Sequence, residues 1–215
     1  MLKEYRTIYE AGVKEIVIEK SRFIGYAKPI ISEEEAVQFI GEIKAKHKDA
    51  THNVPAYVVG GNNEIQRYSD DGEPSGTAGI PVLEVIKKEN LRNVAVVVTR
   101  YFGGVKLGAG GLVRAYTKGA KIALDDGKIV TKRLYRRIHI KIDYTLLGKV
   151  QNEILQKGYL LQNTEYDDAV HFFVYILLDE VDLFKKQMIE WTNARCEIIE
   201  NEEKYLTELD NQIIF

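Results

Sequence analysis

Between Asn90 and Leu124 the chain carries Arg92, Arg100, Lys106, Arg114, Lys118 and Lys121 and not one acidic residue. So long a stretch of one sign sets up a local positive field, although the formal net charge of the whole chain is −2. Five of the 17 glycines fall between Tyr101 and Gly111. Glycine loses the most backbone freedom on folding, so this density means that the backbone turns through positive φ or comes close to another group. Open backbone N–H groups beside a helix start, flanked by Arg100 and Lys106, suit a phosphate or another anion. Tight turns that pack a helix onto a sheet would need the same glycines. The anion- or nucleic-acid-binding set on this reading is Thr99, Arg100, Tyr101, Gly103, Gly104, Lys106, Gly108, Gly110, Gly111, Arg114 and Lys118. Tyr101 and Phe102 after Arg100, and Tyr116 after Arg114, interleave rings with cations as binders of single strands do, and each ring also suits a core.

A second polar loop, SDDGEPSGTAG at 69–79, holds Asp70, Asp71 and Glu73, three carboxylates within four residues. They could ligate Mg²⁺ or Ca²⁺ or act as an acid/base pair. The alternative is structural: Asp70 and Asp71 hold the turn, and Ser75 and Thr77 cap the next helix. His52, just before a strand, is a candidate acid/base or hydrogen-bonding residue near this loop. The catalytic candidates are therefore His52, Asp70, Asp71 and Glu73, with none assigned a step, and a divalent cation is the one cofactor they could involve. Gly108-Ala109-Gly110 lacks the third glycine of a dinucleotide fingerprint, Val113 standing there, and no G-x-x-x-x-G-K-[ST] occurs. His47 and His52 do not have the spacing of a helical zinc pair, no G-x-S-x-G exists, and Cys196 has no His near it in sequence.

The elements that must hold these loops are readable from periodicity. Alternation predicts strands at 13–18 and 21–27 around a turn at Glu19 and Lys20, and Ser32 with Glu35 forms a capping box for a helix at 33–47. Strands are expected at 54–59 and 65–68, the carboxylate loop ends at a helix from Ile80 to Lys88, and 94–98 is a fully apolar strand. The glycine run then leads into a helix at 112–124. From Arg137 the order becomes strand, helix, strand, strand, helix, strand, the split βαβ arrangement of ferredoxin-like domains, with Val181, Phe184, Met188 and Trp191 on one helix face.

At 215 residues the chain is long enough for one or two cores, and the change of pattern favours two domains, 1–132 and 133–215. Charge divides with them, net +3 in the first and −5 in the second. A single cysteine excludes a disulfide framework. The longest apolar run, Phe172 to Leu178, has seven residues against the roughly 20 of a spanning helix. No signal peptide opens the chain, so a cytoplasmic protein with no membrane partner is expected.

The strings YSDDGEPSGTAGIPVL (68–83) and VAVVVTRYFGGVKLGAGGLVRAYTKGA (94–120), with His52-Asn53-Val54-Pro55-Ala56-Tyr57 upstream, resemble the Impact family, in particular its bacterial YigZ/YvyE-like branch. The likeness covers an Impact N-terminal domain at about 15–125 and, beyond it, a small ferredoxin-like domain of unknown function. It implies an α+β fold with an N-terminal domain like domain 2 of ribosomal protein S5 and a domain order similar to the last two domains of elongation factor G. That in turn implies RNA or the ribosome as partner and a role in translation or its regulation. The alternative from the residues is a metal-assisted hydrolase of a phosphorylated or nucleotide substrate. A third reading is a protein-interaction module, its acidic C-terminal domain docking a partner through Ile213-Ile214-Phe215.

Overall fold

The computed structural model describes residues 2–209 and 212–214. The chain divides between Thr131 and Lys132 into two compact units, with Leu209 and Gln212 grouped with the first. In the first, β1 (Glu4–Ile8) is followed by β2 (Gly12–Ile18), β3 (Ser21–Pro29), α1 (Glu33–Lys46), β4 (His52–Val59), β5 (Ile65–Tyr68), α2 (Gly79–Lys88), β6 (Val94–Tyr101) and α3 (Gly108–Asp126). Five strands make one sheet in the order β2-β3-β6-β4-β5, each neighbouring pair antiparallel. Glu19 and Lys20 take positive φ in the β2–β3 turn, which matches the twist of a two-residue hairpin.

β6 explains why its run of valines is unbroken by polar residues. It is the middle strand, and helices cover both faces of the sheet. Ala95 and Val97 face α1 together with Ile24, Tyr26 and Phe39, whereas Val94, Val96 and Val98 face α2 and α3 together with Val82, Ala115 and Tyr116. α1 begins as its sequence predicts: the Ser32 side chain accepts from the Glu35 N–H. The Glu35 carboxylate returns to the N–H of Ile31 rather than Ser32.

The second unit has β7 (Ile129–Ile142), which begins ahead of the division, α4 (Leu147–Gln156), β8 (Leu160–Tyr166), β9 (Val170–Leu177), α5 (Val181–Thr192), β10 (Cys196–Leu209) and β11 (Gln212–Ile214). Its sheet order, β11-β10-β7-β9-β8, contains the split βαβ arrangement. Val181, Phe184 and Met188 are buried against it, with Trp191 packed at the edge. The fold is thus α+β in two units. Among the described residues no helix is long and apolar enough to cross a membrane.

Three differences from the sequence expectation have local causes. β7 starts at Ile129 rather than 137; its charged positions are tolerated because Arg133 pairs with Glu208 at 3.2 Å and Arg136 with Glu200 at 3.1 Å, both on β10. α3 starts at Gly108, not at 112, with three glycines in its first turn, where helix propensity is lowest. The C-terminal apolar residues do not form a loose tail: Gln212–Ile214 is a strand and Ile213 packs on Tyr135, Tyr175 and Leu206, while Phe215 lies outside the described residues.

Candidate functional site

The two glycine-bearing loops adjoin. Antiparallel pairing sets His52 at the start of β4 opposite Arg100 near the end of β6, and the 69–79 loop returns over both. With Thr51, Glu73, Pro74, Phe102, Lys106, Leu107, Gly108, Ala109 and Leu112, these two residues line a cleft of about 340 Å³. A volume of that order holds a small organic molecule.

Arg100 does not stand at the surface as a free phosphate ligand. Its side chain is 6% exposed, Nη1 donates to Glu73 Oε1 at 2.6 Å, and Nη2 reaches Ser21 Oγ at 3.4 Å. The guanidinium lies 5.5 Å from the Phe23 ring centre and 5.4 Å from that of Phe102. The Tyr116 hydroxyl also donates to Glu73 Oε1, at 2.8 Å. Burial, and then this bond to a carboxylate, push the Tyr116 phenol well above its usual range, so it stays a proton donor to Glu73. Tyr116 is therefore core, edge-on to Phe23 at 5.4 Å, and cannot stack a base.

Strand alternation removes two more of the expected residues. Thr99 and Tyr101 point to the α1 side of the sheet, away from the cleft. Thr99 Oγ1 donates to Asn53 Oδ1 at 2.8 Å, and the Tyr101 hydroxyl meets His47 Nδ1 at 2.9 Å. His47 is held between Tyr101 and Tyr26, and burial, then the neighbouring Lys46 and Arg22, lower its pKa.

The three loop carboxylates do not converge on a common point for a metal ion. Asp70 accepts from the N–H groups of Gly76, Ala78 and Gly79, at 2.8, 3.1 and 2.8 Å, and so caps α2 from nine residues upstream of Gly79. Burial opposes its ionisation, but these three bonds win and hold its pKa below the usual carboxylate range. This cap replaces the one expected from Ser75 or Thr77; Thr77 Oγ1 instead donates to the Pro74 carbonyl. Asp71 accepts from Lys44 and from the Asn53 N–H, each at 2.7 Å. Only Glu73 turns into the cleft, facing His52 Nε2 at 3.7 Å. Among the described residues the one group of three metal-ligand side chains within reach of each other is Asp167, Asp168 and His171 in the second unit, which sequence reading passed over.

The glycines serve both expected purposes. A Cβ on Gly103 would stand 1.9 Å from the Lys20 carbonyl oxygen, so Gly103 packs the loop onto the β2–β3 turn. Gly104 and Gly108 take φ of +88° and +66° with open space around them. Gly108 opens α3, whose amino terminus has neither a side-chain cap nor an acidic residue in its first turn. Its first N–H groups, at Gly108, Ala109 and Gly110, have no intrahelical partner.

Lys106, Arg114 and Lys118 are exposed, and none has a carboxylate partner among the described residues. With Ile18, Glu19, Val105, Leu107, Gly111 and Ala115 they line a concavity of about 540 Å³ that meets the cleft at Lys106 and Leu107. Gly111, Arg114 and Lys118, at i, i+3 and i+7, form one stripe on α3. Lys121, by contrast, is engaged by Glu89 at 3.1 Å and by Asp125. Phe102 remains 46% exposed at the cleft rim and is the one ring of the expected set open to a base. Sequence reading missed Thr51, Pro74, Leu107 and Leu112 as lining residues; Leu112 and Tyr116 at i, i+4 were the available sign of α3's inner face.

Residues 19–124 match the model of the Impact N-terminal domain, and residues 140–195 match that of a domain of unknown function, DUF1949. The chain is 49% identical over 213 residues to IMPACT family member YvyE of Bacillus subtilis, covering 99% of this chain and 98% of that protein. It is 31% identical over 188 residues to IMPACT family member YigZ of Escherichia coli, covering 86% and 92%. Protein IMPACT of the rabbit Oryctolagus cuniculus is 33% identical over 98 residues, 43% of this chain and 30% of that one. A solved structure described as a hypothetical protein superposes with a TM-score of 0.60 at 28% identity, covering 94% of this chain and 99% of that one.

Proposed function

The chain belongs to the Impact family, and on that premise we propose that it binds RNA, free or in the ribosome, through the outer face of α3, in a role in translation or its regulation. The observation that carries this reading is the triplet of exposed, unpaired cations, Lys106, Arg114 and Lys118, beside an uncapped helix amino terminus. Cations already held by carboxylates release no counterions when a phosphate arrives; these three are free to do so. The helix dipole and the open N–H groups add attraction at one end of the stripe. Phe102 supplies a ring on which a base can stack. Arg100 has no part in phosphate contact on this reading; it braces Glu73 beneath the cleft.

The test is anisotropy of a fluorescent single-stranded oligouridylate titrated with the full chain over a range of salt. Three phosphate contacts on a single strand give log K against log salt a slope of about −2. The Lys106→Ala/Arg114→Ala/Lys118→Ala variant is expected to lose most of that slope and most of its affinity at low salt. A variant that keeps the parental slope overturns the reading.

A further inference from the structure

The cleft beside the cationic stripe is lined by two chemically distinct groups of residues. One group is Lys106 with the first turn of α3, suited to a phosphate. The other is Glu73 with His52. The Glu73 side chain is 4% exposed; its Oε1 accepts from Arg100 and Tyr116, whereas Oε2 makes no hydrogen bond among the described residues. His52 Nδ1 lies 2.8 Å from the Asp71 carbonyl oxygen. A carbonyl only accepts, so Nδ1 carries a proton, and the tautomer this selects has its lone pair at Nε2. Glu73 Oε2 and His52 Nε2 stand 3.7 Å apart. Two acceptors side by side in a largely buried wall call for two donors side by side on the ligand.

The rest of the lining includes the apolar Pro74, Leu107 and Leu112, with the exposed Phe102 ring. A ligand that fits carries a phosphate, a compact body and two adjacent hydroxyl donors. Resting on the reading of the α3 face as an RNA track, we propose that this cleft binds a ribonucleoside 5′-phosphate unit with a free 2′,3′-diol, the diol on Glu73 and His52 and the phosphate on Lys106 and the α3 amino terminus. That unit exists at the 3′ terminus of an RNA and in a free mononucleotide. An internal nucleotide, or an end bearing a 3′-phosphate, is disfavoured because it sets a second anion against the Glu73 carboxylate.

The experiment uses the full chain and alters the ligand, so that no variant need fold. One arm compares an oligouridylate ending in a 3′-hydroxyl with the same oligomer ending in a 3′-phosphate; the other compares UMP with dUMP as competitors. A site built to receive a hydroxyl rejects the ligand that lacks it, so at least about a tenfold preference is expected for the 3′-hydroxyl oligomer and for UMP. Preference in the competitor arm alone supports the diol site and assigns it to free nucleotides. Equal binding in both arms overturns the site; if the salt slope of the cationic stripe persists in that case, the RNA reading stands without it. A diol preference without any oligomer binding has the opposite meaning, the site standing and the RNA track falling.

Discussion

Arg100→Leu lowers the free energy of opening at the centre of the first unit by about 3–5 kcal/mol. Arg100 and Glu73 are both buried, with side-chain exposures of 6% and 4%, and are joined at 2.6 Å. Taking either ion out of water is costly, and the pair is tolerated because each neutralises the other. Leucine leaves the Glu73 carboxylate with only the Tyr116 hydroxyl as a hydrogen-bond donor, in a wall that water reaches poorly. The loss is read by native-state hydrogen exchange at the amides of Val96, Val97 and Val98 in β6. Adding Glu73→Gln to Arg100→Leu is expected to recover about 1 kcal/mol or more, since a neutral amide carbonyl still accepts from Tyr116 without a buried charge. In the molecules that remain folded, the salt slope of RNA binding stays at its parental value, because Arg100 contributes no free charge to the surface. A stability change under about 1 kcal/mol, or a flattened slope, contradicts this account of Arg100.

Gly25→Ala destabilises by about 3 kcal/mol, the upper range for forcing atoms into a packed interior. Gly25 lies on β3 directly beneath α3; a Cβ there would stand 2.1 Å from the carbonyl oxygen of Gly119 and 2.9 Å from the Cβ of Ala123. Both contacts involve the body of the helix and its backbone, so no side chain can swing aside. α3 must lift from the sheet, and with it move its amino terminus, Arg114 and Lys118. Affinity for RNA is therefore expected to fall along with stability. Gly41→Ala is the matched control. Gly41 is within α1, its Cβ would meet nothing within 4 Å, and alanine there is expected to stabilise by up to about 1 kcal/mol. Urea unfolding followed by circular dichroism separates the two; a Gly25→Ala midpoint at or above that of the parent contradicts the close approach of α3.

The order of elements could be read from the sequence because their signals are local. Ser32 with Glu35 marked α1, and the alternation at 13–18 and 21–27 marked a hairpin. β6 was evident from its valines, since a strand covered on both faces needs no polar positions. The family resemblance lies in the long strings around the two loops, and the Bacillus subtilis relative matches nearly the whole chain.

The site was harder to read, for reasons of geometry rather than composition. A run of basic residues says nothing about where each tip goes. Arg100 and Glu73 are 27 residues apart and meet only because β6 and the 69–79 loop fold onto one another. Thr99 and Tyr101 adjoin Arg100 in sequence, whereas a strand sends neighbours to opposite faces. Of the two roles open to Asp70, metal ligand and holder of the turn, the structure shows the second, its carboxylate accepting from backbone N–H groups up to nine residues on. Lys106, Arg114 and Lys118 kept their exposure because they fall on the loop and on the outer stripe of α3, at positions that its inner residues, Leu112, Ala115 and Tyr116, leave to solvent.

RNA is proposed to lie along the face formed by Lys106, Arg114 and Lys118. This is tested most directly by amide chemical-shift mapping of the isotope-labelled chain during titration with a short oligouridylate. The largest shifts are expected at Lys106, at Gly108 to Gly111 opening α3, and along the helix at Arg114 and Lys118. Shifts that leave those amides unmoved and gather on the second unit would contradict it.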